Sequence, residues 1–254
     1  MLIAIAREVS PAIERCELTH LERVPIRHEI ASAQHRDYLQ ALALLGCKVQ
    51  RLPVEPDLPD SVFVEDAAIV LDEVAVIARP GAASRRPETA TVAEALKPWR
   101  KLLHIEAPGT LDGGDVMRLG RRLFVGLTRR SNREGIEQLR NLLAPWGYTV
   151  TEVPINDCLH LKTAVTPIAE DRLLLNPAFV DAQVFDCPWI EVDPSEPMAA
   201  NALLIGETVI FPTAFTRTRQ RLEQAGIRVH GVDASELAKA EGGVTCCSLV
   251  FEGP

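Results

Sequence analysis

The stretch ALALLGCKVQRLPV, residues 41–54, joins a helically periodic apolar run to an alternating one through a single glycine, and its reading decides the fold. Leucines and alanines fill the first half at helical spacing. Gly46 then sits where a left-handed residue closes a helix, and the alternation from Lys48 onward has the period of a strand. The same wording returns in LAPWGYTVTEVPI (143–155) and RLEQAGIRVHGVD (221–233). Two weaker copies lie between them: LKPWRKLLHIEA (96–107) lacks the glycine, and FDCPWIEVD (185–193) follows a much shorter helical piece. The chain thus carries five copies at a spacing of roughly 40 to 54 residues.

Between the copies stand paired apolar runs with turn residues at their centres: AAIVLDEVAVIAR (67–79), VMRLGRRLFVGL (116–127), TAVTPIAEDRLLLN (163–176) and ALLIGETVIFP (202–212). One unit is strand, strand, helix, strand. Such a unit cannot bury its own sheet face, so five of them are expected to close around a common axis. No linker or low-complexity stretch divides the chain, and residues 1–254 are expected to form one domain.

Composition narrows the function. A chain of 254 residues that is 47% hydrophobic can bury a sizeable core. With 27 Lys plus Arg against 35 Asp plus Glu, the net charge of −8 disfavours nucleic acid, which wants a basic face, and favours a small-molecule substrate. The opening MLIAIAREVS has no basic leader, and Arg7 cuts its apolar run, so it reads as a first strand. No apolar run approaches the roughly 18 residues of a membrane span. A cytoplasmic protein with reduced thiols is expected, since the six cysteines include no CxxC pair. No cofactor and no metal are expected. Besides the substrate, a second copy of the chain in a homodimer is the one partner left open.

The segments that follow the copies carry the chemistry. The first is PDSVFVED, with Asp60, Glu65 and Asp66; the second is PGTLDGGD, with Asp112 and Asp115. The third is NDCLHLKT, with His160; the fourth SEPMAANA, with Asn201; the fifth EGGVTCCS, with Cys246 and Cys247. Ring closure would bring acid, imidazole, amide and thiol to one end of one axis. If VTCCSLVF is a strand, Cys247 shares an apolar face with Leu249 and Phe251, whereas Cys246 shares the polar face with Ser248. Cys246 is then the candidate nucleophile and Cys247 a buried thiol. A free cysteine in a strand is more often core than catalytic, and LDGGD is equally ordinary turn chemistry, so the argument rests on equivalent placement. His20, His28, His35, His104 and His230 have no acid or thiol in an equivalent place and read as structural.

PDSVFVED, PGAASRRPE, TLDGGDV, FVGLTRRSN, LHLKT, AAN and GGVTCCS, in this order, resemble the dimethylarginine dimethylaminohydrolases, guanidine-modifying enzymes with the pentein fold. The resemblance implies a five-bladed α/β propeller of pseudo-fivefold ββαβ repeats around a central channel. It implies hydrolysis of Nω-methylated arginines to citrulline and dimethylamine or methylamine, through a thiouronium on Cys246. His160 would protonate the leaving amine and then activate water, and Asp112 would orient His160. Asp66 would accept from the guanidinium with Glu65 adjacent, and Phe63 would wall the pocket. Arg85 and Arg130 would hold the substrate α-carboxylate, while Asp60 and the carbonyl of Leu18 would hold its α-amino group. Ala240 falls on a substrate-contacting position, and Arg86 and Arg129 read as solvated surface charges. Other readings on the same residues are an arginine deiminase-like hydrolase of guanidino or ureido compounds, a non-catalytic binding protein, and a zinc hydrolase using His160, Cys246 and an acid. The last lacks any short ligand spacing.

Overall fold

The computed structural model of the chain describes residues 1–253. Strand β1 spans Leu2–Arg7, and helix α1 (His28–Leu44) leads to β2 (Lys48–Leu52). Gly46 between them has φ +95°, the left-handed value that closes the helix, and Gly147 and Gly226 repeat it at +71° and +81°. The hairpin β3 (Ala68–Val70) and β4 (Val74–Ile77) is followed by α2 (Thr89–Leu96) and β5 (Lys101–His104). Next come β6 (Val116–Leu119), β7 (Arg122–Leu127), α3 (Arg133–Leu143) and β8 (Thr149–Pro154). A short helix α4 (Leu161–Ala164) precedes β9 (Val165–Ala169), β10 (Arg172–Leu175) and β11 (Trp189–Glu191). The crossover to β11 is a single 3₁₀ turn at Ala182–Phe185, as the short fourth copy suggests. Strands β12 (Leu203–Ile205) and β13 (Thr208–Pro212) lead through α5 (Thr216–Gln224) to β14 (Arg228–Val232), and β15 (Leu249–Glu252) ends the chain.

The strands form five three-stranded sheets, each an antiparallel hairpin extended by one parallel strand after a crossover. The fifth sheet is built from both chain ends. β1 pairs antiparallel with β15, Ile3 opposite Phe251, and parallel with β2, Ile3 opposite Lys48. The blade of the first copy is therefore completed by the chain's last strand and is cut inside its hairpin. Each of the five apolar clusters joins neighbouring blades: Ile3 and Phe251 pack with Ala75 and Val92, Leu123 with Ile69, Met117 with Leu173, Leu174 with Val209, and Ile210 with Leu42. The last of these joints closes the ring. With each fully buried Leu, Ile or Phe side chain contributing about 1.5–3 kcal/mol, packing between blades outweighs any single polar contact at the axis.

The chain is a five-bladed α/β propeller. Its innermost strands β3, β6, β9, β12 and β15 line a channel of about 510 Å³ at one end of the axis. No helix among the described residues is long and apolar enough to cross a membrane. The structure corrects one local expectation. β15 begins only at Leu249, and residues 244–247 form a turn in which the Cys246 N–H donates to the Gly243 carbonyl at 3.2 Å. The two glycines before it are required by close approach, since a Cβ on Gly242 would collide with the Phe63 ring and one on Gly243 with the Asn201 amide.

Candidate active site

At the opposite end of the axis, the segments that follow the copies converge on a small cavity of about 10 Å³, room for one water-sized sphere. Asp60, Phe63, Asp66, Arg85, Arg130, His160, Ala240 and Cys246 all line it. Leu18 does not; its neighbour Glu17 does, and the Glu17 N–H donates to both Asp60 carboxylate oxygens at 3.2 and 3.1 Å. Glu65 and Asn201 also lie outside the lining. Glu65 pairs with Lys162 Nζ and accepts from Thr245 Oγ1 at 2.8 Å, so its charge is met beneath the cavity, on the channel side. Asn201 braces the thiol turn: its Oδ1 accepts from the Thr245 N–H, and its Nδ2 donates to Thr245 Oγ1 and to the Lys162 carbonyl.

The imidazole is held by the LDGGD turn. His160 Nε2 lies 3.1 Å from Asp112 Oδ2, and the other ring nitrogen lies 3.8 Å from Asp66 Oδ1. A Cβ on Gly114 would stand 2.6 Å from that second nitrogen, and one on Gly113 would collide with the Glu65 carbonyl. The glycine pair is thus both a turn and the space in which the imidazole sits. Asp112 also accepts the Gly81 N–H at 2.9 Å. Asp115, fully buried, ties three site segments together. It accepts from the Leu161 N–H beside His160 at 3.0 Å, and from the hydroxyls of Thr128 and Ser131 on either side of Arg130 at 2.7 and 2.6 Å. The next residue, Asn132, caps α3 by accepting the Gly135 N–H.

The two arginines differ. Arg85 donates to Asp66 Oδ2 at 2.6 Å, to Glu88 through Nε and Nη2, and to the Phe63 carbonyl. Arg85 thus lines the cavity with its charge already balanced by two carboxylates, Asp66 and Glu88. Arg130 donates through Nη2 to Thr19 Oγ1 at 3.2 Å, while its buried Nη1 has no hydrogen-bond partner among the described residues. Nη1 stands 3.6 Å from Asp112 Oδ2. Above the cavity, residues 17–21 are fastened by Glu241. Its carboxylate accepts the N–H groups of Thr19 at 3.0 Å, Leu21 at 2.6 Å and His20.

These surroundings set the protonation states. Burial opposes a charge on His160, but Asp66, Asp115 and Asp112 outweigh it and hold the imidazole up at about 9. Burial also works against the Asp66 carboxylate, yet the His160 and Arg85 charges leave it well below the ordinary range. Burial, then Glu65 and Asp66, push the Cys246 thiol up to about 12. The resting site is therefore an imidazolium beside a neutral thiol. Cys246 accepts the Gly243 N–H at 3.3 Å and lines the cavity, whereas Cys247 lies in the core at 2% exposure. Ligand atoms of Asp66, Asp112 and His160 lie within 4.8 Å of one another. A cation there would have to take Asp66 from Arg85 and deprotonate His160, so the donors are better matched to the internal charges they already hold.

Comparison with known proteins follows the same lines. Residues 48–196 match the family model described as arginine deiminase. The N(G),N(G)-dimethylarginine dimethylaminohydrolase of Pseudomonas aeruginosa is 39% identical, covering 87% of this chain and 88% of the relative. That of Streptomyces coelicolor is 38% identical over 97% of this chain and 95% of the relative. The chain belongs to this family. Dimethylarginine dimethylaminohydrolase from Pseudomonas aeruginosa, solved as a cysteine-to-serine variant complexed with citrulline, superposes with a TM-score of 0.92 at 35% identity, over 98% of each chain. A cyanobacterial arginine dihydrolase shares the fold at a TM-score of 0.86 and 20% identity, covering 100% of this chain and 99% of that one.

Several site residues escape the sequence reading. Lys162 stands in the quoted LHLKT but carries no signal of depth, and Asp115 looks equivalent to Asp112. Glu17 and Glu241 act through a loop about which the repeat is silent.

Proposed function

We propose that this chain hydrolyses Nω-methylated arginines, asymmetric dimethylarginine and monomethylarginine, to L-citrulline and dimethylamine or methylamine, as one catalytic domain over residues 1–254. The observation that carries the reading is one small cavity lined by Cys246, His160, Asp66 and Arg130, whose buried Nη1 has no hydrogen bond, in a chain whose relatives are named for that reaction. The reaction breaks a C–N bond of a linear amidine.

Substrate supplies the missing activation. A guanidinium about 4 Å from the sulfur, at an effective dielectric near 20, favours the thiolate by about 4 kcal/mol, or about three pH units. That brings Cys246 from about 12 toward the value of about 9 held by His160. The cation's field thus makes the thiolate accessible, its proton leaving to solvent before attack. Sγ attacks the guanidinium carbon, and the His160 imidazolium gives its proton to the departing nitrogen as the C–N bond breaks. Neutral His160 then takes a proton from water, whose oxygen displaces the sulfur to give the ureido product, and both residues return to their resting states. Asp112 keeps the imidazole oriented throughout. Asp66 faces the guanidinium, Asp60 the α-amino group and Arg130 the α-carboxylate by a charge-assisted hydrogen bond. Phe63 and Ala240 supply apolar walls. The six free cysteines agree with a reducing cytoplasmic setting.

The test is a colorimetric citrulline assay with dimethylarginine, monomethylarginine and arginine side by side, each with and without chelator. Citrulline from the methylated substrates alone, unaffected by chelator, is expected. Turnover of arginine in preference to them would convert the reading to a deiminase, and loss of activity with chelator would overturn the metal-free mechanism.

A further inference from the structure

Thr245, the residue before Cys246, is buried where the site backs onto the axial channel. Its Oγ1 donates to Glu65 Oε2 at 2.8 Å and accepts from the Asn201 side-chain amide at 3.0 Å. A hydroxyl has one proton and two lone pairs, so one lone pair is left. Cys246 Sγ lies 3.9 Å from that oxygen, within the reach of a hydrogen bond to sulfur. With the Thr245 proton given to the carboxylate, the thiol is the donor in this contact. Glu65 is in turn paired with Lys162 Nζ, and Glu65, Lys162 and Thr245 all line the channel of about 510 Å³. The Glu65 N–H donates to the Cys246 carbonyl at 3.1 Å, which fixes the two segments against each other. A line of hydrogen bonds thus runs from the reacting sulfur, through one hydroxyl, to a carboxylate on the channel side.

Resting on the function argued above, we propose that Thr245 and Glu65 carry the thiol proton of Cys246 out to the channel once a cationic substrate occupies the site. Attack requires the thiolate, so the proton has to leave first. His160 is not free to take it, since the imidazole already holds the proton that it must deliver to the departing amine. In the step, the S–H bond breaks and its electron pair stays on sulfur. Thr245 Oγ1 takes the thiol proton while its own proton passes to Glu65 Oε2, and the Glu65 carboxyl then releases a proton to channel water. The carboxylate that results recovers its ion pair with Lys162. A proton on this path moves away from the substrate cation and toward a negative charge, which lowers its cost. Cys246 also borders a second cavity of about 550 Å³, lined by neither Thr245 nor Glu65, and a proton leaving by it would need neither residue.

The experiment compares wild type with Glu65→Gln, Thr245→Val and Thr245→Ser. Citrulline release from Nω-methyl-L-arginine gives kcat/KM, and alkylation of Cys246 by iodoacetamide without substrate, at one pH near neutral, is mapped by mass spectrometry. Alkylation is slow and reads the equilibrium share of thiolate, whereas turnover also needs the route. After burial, the Glu65 charge is the largest cause that keeps the thiol protonated, so Glu65→Gln should be alkylated several-fold faster than wild type. Its kcat/KM should nevertheless fall by about a hundredfold, the lower end of what a positioned proton acceptor contributes. Thr245→Val should lose turnover to a similar extent, and Thr245→Ser, which restores the hydroxyl, should stay close to wild type. Faster alkylation with slower turnover is not the mark of a displaced thiol, which would slow both. Glu65→Gln with kcat/KM at or above wild type would show that Glu65 acts by its charge alone, and both rates slowed would show a distorted turn. Wild-type kcat/KM in Thr245→Val would send the proton out by the second cavity. Each of these results overturns the proposal while the function stands; should the wild type release no citrulline, the function falls and this inference with it.

Discussion

The two halves of the site differ in how completely their polar groups are satisfied. On the Asp112 side, each carboxylate named has an assigned partner: Asp112 holds His160 and the Gly81 N–H, Asp115 holds Leu161, Thr128 and Ser131, and Arg85 holds Asp66 and Glu88. On the Cys246 side, a thiol sits neutral among acids, and Arg130 keeps one buried nitrogen without a hydrogen bond, 3.6 Å from Asp112. Native interiors rarely leave such a group unpaired, because each costs about 1–3 kcal/mol. The satisfied half is scaffold that orients, and the unsatisfied half is what a charged substrate completes.

The sharpest way to break this contrast is at the adjacent thiols. Cys246→Ser should lower turnover by a factor of about 10⁴ or more, as loss of a covalent nucleophile does, while calorimetry still detects substrate binding. Cys247→Ser should keep most activity, its cost being a hydroxyl in the core of about 1–3 kcal/mol in stability. The reverse pattern would assign the chemistry to the wrong sulfur. Iodoacetamide should label Cys246 slowly near neutral pH, and rapid labelling would show a thiol already activated at rest.

The arginines test the contrast next. Arg85→Ala strands two buried carboxylates and should cost about 3–5 kcal/mol, read as a fall in denaturation midpoint. Arg130→Ala should leave that midpoint nearly unchanged and raise KM by about 10- to 100-fold with little change in kcat, the effect of one charge-assisted hydrogen bond remote from the reacting carbon. Equal effects on both quantities in both variants would erase the distinction.

His160 links the halves through its charge. Its folded-state value of about 9 lies above the unfolded value near 6.5, so the stability from its ion pairs is fully present below pH 6.5 and is lost as pH rises through about 9. Wild-type Tm should fall across that window more steeply than that of His160→Gln, and kcat/KM should fall above about pH 9 as the proton donor is lost. Parallel Tm curves would show that the imidazole is not held charged.

How much of this was legible in the sequence depends on how local each cause is. A helix, a glycine with positive φ and a strand are neighbours in the chain, so the period was readable and the ring followed from it. The meeting of residues 60–66, 112, 160 and 246 needed only equivalence between copies. Cys246 was separated from Cys247 by strand alternation, yet the segment is a turn; alternate side chains still diverge there, so the separation survives on different geometry. Arg85 and Glu88, three residues apart, could be seen as a pair, but not that both are buried. Glu241 meets Thr19 across 222 residues, and nothing in a repeat encodes one acid choosing three backbone N–H groups of a loop.

That latch gives the smallest and most diagnostic effect. The loop over the cavity has no strand or helix at residues 16–27, so its closure rests on side-chain ties, over the cavity those of Asp60 to the Glu17 N–H, Arg130 to Thr19, and Glu241 to Thr19, His20 and Leu21. Two of these ties use the groups assigned to the substrate's amino and carboxylate ends, so binding competes with them. Glu241 is then left to hold residues 19–21, while Ser84 to Glu17, Lys239 to Pro25 and Glu236 to Arg27 hold the ends of the loop. Glu241→Gln keeps one acceptor oxygen and loses the charge, which should raise KM about threefold to tenfold and leave the unfolding free energy within about 1 kcal/mol of wild type. Trypsin should then cut at Arg23 faster in the variant, and saturating methylarginine should slow that cut less than it does in the wild type. An unchanged cutting rate would mean that the loop is held by its other contacts, and the unsatisfied half of the site would end at Arg130.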